Sequence, residues 1–132
     1  MTLHAEGTCV ICAWDEEALW KLQGTSKLGE ASIRQSYTGD LVGISRWEAL
    51  VCHLGDGTVR CSGLARLTGR LGMRSGEFTM EVLGMCKDAE IRLVWTIVPD
   101  SGTEDLQGLS GTGTCVLTQT REGVFTLDYE FS

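Results

Sequence analysis

The sequence predicts an all-β antiparallel domain, a closed barrel or a sandwich, and three observations predict it. Apolar and polar residues alternate in short blocks, the two-residue period of strands that bury one face. Gly-rich or Asp-Gly punctuation separates the blocks, with 17 Gly in the chain and a single Pro. Asp56-Gly57 lies between two alternating runs, a position that favours a tight hairpin.

Eight strand blocks follow, over 6–14, 30–39, 41–54, 58–69, 76–86, 90–98, 112–119 and 123–131. The first ends at Asp15-Glu16-Glu17, which reads as a solvated loop unless it lines a barrel mouth, where a carboxylate could receive a substrate proton. The second presents Gln35 and Tyr37 inward. The third and fourth join at Asp56-Gly57, read as a two-residue type I′ loop. In that register Leu54 faces Val59, Cys52 faces Cys61, Leu50 faces Gly63 and Glu48 faces Ala65, all on the more apolar side. Ser45, Trp47, Ala49, Val51 and His53 take the opposite side. Phe78, Met80 and Val82, then Leu93, Trp95 and Ile97, then Phe125, Leu127 and Tyr129, form the inward faces of later strands.

Between the sixth and seventh strands, Pro99 stops the chain and Ser101 and Glu104 have capping-box spacing. One short helical turn is predicted near 101–109, with Leu106 and Leu109 plugging one end of a barrel. Val94, Val98, Val116 and Trp47 leave outward faces partly apolar, from which a covered wall and a homo-oligomer are expected.

Composition narrows the function classes. A chain of 132 residues forms one domain, 1–132, and its 42% hydrophobic content is that of an ordinary globular protein. The net charge of −7, with no Lys/Arg run, argues against a nucleic-acid partner. No stretch reaches 18 consecutive apolar residues and the N-terminus has no signal-peptide pattern, so no membrane partner and a cytoplasmic location are expected. Six cysteines without an export signal then read as thiols. Cys9 and Cys12, three apart in a strand, point to opposite faces and cannot grip one ion, so no metal is expected.

Five segments resemble a family of small bacterial proteins of largely unassigned function with an allene oxide cyclase-like β-barrel. They are G-T-C-V-I-C-A-W-D-E-E (7–17), A-S-I-R-Q-S-Y-T-G-D-L-V-G (31–43), G-R-L-G-M-R-S-G-E-F-T-M (69–80), W-T-I-V-P-D-S-G-T-E-D-L-Q-G-L-S-G-T-G (95–113) and F-T-L-D-Y-E-F (125–131). The resemblance implies an eight-stranded antiparallel closed barrel with a hydrophobic lumen, commonly oligomeric. Similar barrels include natural-product cyclases that work without metal or redox cofactor, so no cofactor is implied.

Glu48 heads the candidate catalytic residues, because a carboxyl pointing into an apolar lumen is a usable acid or base near neutral pH. Its structural alternative is an ion pair with Arg46. Tyr37 and Tyr129 join it as polar groups on inward faces, and Arg46 and Gln35 would orient one polar end of a ligand. Leu50, Cys52, Ala65, Phe78, Met80, Trp95 and Phe125 would form the apolar wall, although a central-strand Trp is more often simply core. The expected function is a barrel holding a small hydrophobic molecule, as a cofactor-free cyclase or isomerase. A non-catalytic carrier or sensor, or a solidly packed interaction module, are the alternatives.

Overall fold

In a computed structural model, residues 1–21 and 27–132 are described. They form a closed antiparallel barrel of eight strands, each paired with its sequence neighbours and β8 closing on β1. The strands are β1 (Leu3–Lys21), β2 (Lys27–Gly39), β3 (Leu41–His53), β4 (Val59–Leu71), β5 (Arg74–Lys87), β6 (Glu90–Ile97), β7 (Leu109–Thr118) and β8 (Glu122–Phe131). Every predicted block overlaps one of them, and the largest difference is β1, which runs on through the acidic run to Lys21. Among the described residues, no helix is long and apolar enough to cross a membrane.

The inward period-2 positions fill the lumen with side chains, as suits a barrel of this strand number. Tyr37, Trp47, Phe78, Met80, Trp95 and Phe125 are all buried. Tyr37 meets Trp95 and Phe125 edge-on, with ring centroids 5.7 and 5.9 Å apart. Two glycines make room for these rings. A Cβ on Gly113 would stand 3.1 Å from Trp95 Cε3, and one on Gly7 would stand 2.9 Å from Phe125 Cε1.

One end of the barrel is closed by the β6–β7 connection. A 3-10 turn over Glu104–Leu106 buries Leu106, and Leu109 is buried beside it, so the predicted plug is present. Its cap differs from expectation: Thr103 is the N-cap and makes no side-chain cap bond. Ser101 instead stitches the connection to the wall, donating through Oγ to Val98 O at 2.7 Å and accepting from Thr79 N at 3.0 Å.

The β3–β4 hairpin departs from the expected register by one residue, with large consequences. Leu54 N donates to Thr58 O at 2.8 Å and Gly57 N donates to Leu54 O at 3.2 Å, with Gly57 at φ +88°. Gly55, Asp56 and Gly57 therefore form a three-residue loop ending in a left-handed residue, rather than a two-residue type I′ loop. Asp56 Oδ1 reinforces it by accepting from Thr58 N at 2.9 Å. Trp47 now pairs with Ala65, Val51 with Cys61 and His53 with Val59. A slip of one residue turns every side chain to the other face. Trp47, Ser45, Ala49 and Val51 are buried, whereas Arg46, Glu48 and Leu50 are exposed on the outer wall. Cys52 pairs with Arg60, not with Cys61.

β1 undergoes its own change of phase. Ala5, Cys9 and Ile11 face the lumen, and a register irregularity between Ile11 and Ala13 then passes the inward face to Trp14 and Glu16. β8 pairs with β1 only from Leu3 to Val10, so beyond that point β1 continues with β2 alone as an arm at the hairpin end of the barrel.

Candidate functional site

The arm brings Glu16 over the hairpin mouth. Its register partner is the buried Ala31, which places Glu16 on the inward face, and its carboxylate reaches across to the end of β3. His53 Nε2 lies 2.5 Å from Glu16 Oε2, and Trp14 Nε1 donates to Glu16 Oε1 at 3.0 Å. Partial burial pushes the Glu16 carboxyl up, but the bonds from Trp14 and His53 outweigh it and hold the carboxyl below the usual glutamate range. An ionised Glu16 makes His53 Nε2 the donor, and in the neutral ring Nδ1 is then left with its lone pair.

The pair is open to solutes, with side chains 28% exposed for Glu16 and 40% for His53. Glu16 and His53 share a cleft of about 440 Å³ with Ala18, Lys27, Leu28 and Gly29. Below the rim, His53 pairs with Val59, Val59 with Cys86 and Cys86 with Ile91, which sets an apolar ring at one level of the wall. Burial pushes the Cys61 thiol up to about 12 and raises Cys86 as well, with the Glu16 charge adding to both. Both shifts favour the thiol over the thiolate at these two positions.

The residues singled out from the sequence are divided between the packed lumen and the outer wall. Tyr37, Gln35, Ala65, Phe78, Met80, Trp95 and Phe125 do face inward, but as packed core. Tyr37 Oη bonds Ser45 Oγ at 2.7 Å, and burial holds its phenol well above the ordinary range. Gln35 Oε1 accepts from Trp47 Nε1 at 3.1 Å. Gln35 Nε2 and Trp95 Nε1 have no hydrogen-bond partner among the described residues. Tyr129 is half-buried near the plugged end, edge-on to Phe131 with centroids 5.9 Å apart.

Glu48, Arg46, Leu50 and Cys52 belong to the outer side of β3, which corrects the expectation that they line the lumen. Glu48 is not paired with Arg46 as an inward ion pair. Its two oxygens accept from Ser32 Oγ, each at 2.7 Å, on the outer wall.

The pair is not apparent in the sequence because the acidic run reads as a loop that ends the first strand and the two-residue hairpin register turns His53 outward. The β1 irregularity moves Glu16 inward, and the one-residue change of hairpin register moves His53 inward. A signal was present in the phase of Trp14: an aromatic two residues before an acid marks a continuing face.

The fold defines a class: small closed antiparallel β-barrels of eight strands. Within it, the chain belongs to the family described as protein of unknown function (DUF3224), which matches residues 5–129. It is similar to the crystal structure of a DUF3224 protein of unknown function from Shewanella oneidensis MR-1, with 23% identity and a TM-score of 0.85. That match covers 100% of this chain and 99% of the other. At that identity the similarity concerns the fold alone. No curated protein matches the sequence.

Proposed function

We propose that this protein binds a small, mainly apolar molecule at the hairpin mouth and moves a proton on it, as a cofactor-free isomerase or cyclase. The observation that carries this reading is the Glu16–His53 pair opening into a cleft of about 440 Å³. A carboxylate that holds one imidazole nitrogen fixes the tautomer and leaves the other nitrogen as a base, the logic of many acid–base sites. Lys27 in the same cleft supplies a cation for a carbonyl or carboxylate oxygen, while Ala18 and Leu28 supply apolar contact.

The test uses 1-anilinonaphthalene-8-sulfonate, an apolar anion, as the probe. Saturable fluorescence that falls at least tenfold in affinity in the double variant Lys27→Ala, His53→Ala, and is unchanged in Glu48→Gln, supports the reading. Equal binding by all three proteins contradicts it.

A second reading, a packed interaction module, is favoured by the filled lumen: Phe78, Met80 and Trp95 are 0% exposed. We also propose a homo-oligomer through the outer wall of β3 to β6. There Leu50, Leu64, Leu83 and Val94 are each at least half exposed, and Leu83 pairs with Val94.

A further inference from the structure

β1 carries a second unused feature, apart from the rim cleft. β8 covers Leu3 to Val10, and Ile11 N adds one bond to Arg121 O at 2.8 Å. From Ala13 to Lys21 the strand pairs with β2 on one edge, and among the described residues its other edge has no strand partner. Exposure agrees with an open edge: β3 alternates buried and exposed residues along most of its length, whereas Asp15 to Leu19 are exposed in succession. Nine residues at roughly 3.3 Å each make an edge about 30 Å long. A row of unpaired N–H and C=O groups of that length is a template for another strand. Edges are commonly blunted by Pro or Lys; this one has no Pro, and its lysine stands at the far end, Lys21. The register irregularities lie at Ile11/Ala13 and Ala18/Trp20, which leaves Ala13 to Ala18 regular.

Charge selects the occupant. Asp15, Glu17, Glu30 and Glu48 line a cleft of about 480 Å³ along this arm, and the whole chain carries a net charge of −7. A second copy laid antiparallel about Glu16 would set Asp15 against the copy's Glu17, like charges directly opposed. A strand with Lys or Arg at alternate positions meets the same two carboxylates favourably, with Glu30 and Glu48 extending the negative field behind them.

We propose that the Ala13–Ala18 edge of β1 accepts an extended basic segment of another protein as an added strand. Backbone hydrogen bonds hold it in register. Its cationic side chains lie on the outer face at Asp15 and Glu17, and its intervening side chains lie on the face of Trp14.

The test titrates the full chain with a fluorescein-labelled heptapeptide of alternating Val and Lys, a copy methylated at every backbone nitrogen, and a Val/Glu copy. The expected result is saturable binding of the first peptide, at least tenfold weaker binding of the methylated copy, and none of the Val/Glu copy. Slowed amide exchange should be confined to residues 13–19. Asp15→Lys with Glu17→Lys, both exposed, should weaken binding roughly fivefold or more. Equal binding by the methylated copy would reduce the effect to charge alone and overturn the proposal. So would absence of binding, protection elsewhere on the chain, or concentration-dependent protection of 13–18 without peptide, which would assign the edge to a second copy.

Discussion

Exchanging the roles of two adjacent residues gives a sharp test of the β3 face. Trp47 is 2% exposed, pairs with Ala65 and donates through Nε1 to Gln35 Oε1 at 3.1 Å. Trp47→Ala removes the largest kind of core side chain, worth about 3–5 kcal/mol. It also leaves Gln35 Oε1 buried without that donor, a further loss of about 1 kcal/mol. Glu48 stands one residue away on the outer wall, where Ser32 is its hydrogen-bond partner. Glu48→Ala should change stability by no more than about 0.5–1 kcal/mol. Urea unfolding followed by tryptophan fluorescence and circular dichroism, with m-values compared, should separate the variants by at least about 3 kcal/mol. A Glu48→Ala loss as large as that of Trp47→Ala would refute the three-residue loop and restore the shifted register.

Gly113→Ala places a Cβ 2.5 Å from Thr126 O and 3.1 Å from Trp95 Cε3, and should destabilise by about 1–3 kcal/mol in thermal or urea unfolding. Glu16, with its folded pKa below the unfolded value, contributes stability above the ordinary glutamate pKa of about 4.3, and that stability is lost as pH falls through the lower folded value. Midpoints of thermal unfolding measured from pH 6 downwards should therefore fall more steeply in the wild type than in Glu16→Gln, the two converging at the acid end. Leu83→Glu, at a position 62% exposed, should leave subunit stability within about 0.5 kcal/mol while lowering the oligomer mass seen by analytical ultracentrifugation. An unchanged mass would remove β5 from the subunit contact.

The barrel was legible because period-2 alternation is a property of each strand by itself. Phe78-Thr79-Met80 or Phe125-Thr126-Leu127 declares its inward face without help from any neighbour, and the structure follows it. The face of β3 was not legible in the same way, since its alternation is apolar on both sides. Trp47, Ala49 and Val51 compete there with Ile44, Leu50 and Cys52, so the turn had to decide. Leu54-Gly-Asp-Gly-Thr58 fits either a two-residue loop at Asp56-Gly57 or a three-residue loop with Gly57 left-handed; the latter formed. That single residue carried Glu48 out and His53 in. On β1 the same ambiguity came from an irregularity that no residue in Ile11-Cys12-Ala13 announces. The acidic run consequently looked like solvated loop, although Glu16 in its middle lies at the barrel mouth.

The central claim is that small molecules meet this protein at the Glu16–His53 rim and not in the lumen. Amide and imidazole chemical shifts recorded during titration with 1-anilinonaphthalene-8-sulfonate test it most directly. Shifts that grow in parallel at Glu16, Ala18, Lys27, Gly29 and the His53 ring are the predicted result. Shifts centred on Tyr37, Phe78, Trp95 and Phe125, with the His53 ring unmoved, would contradict it.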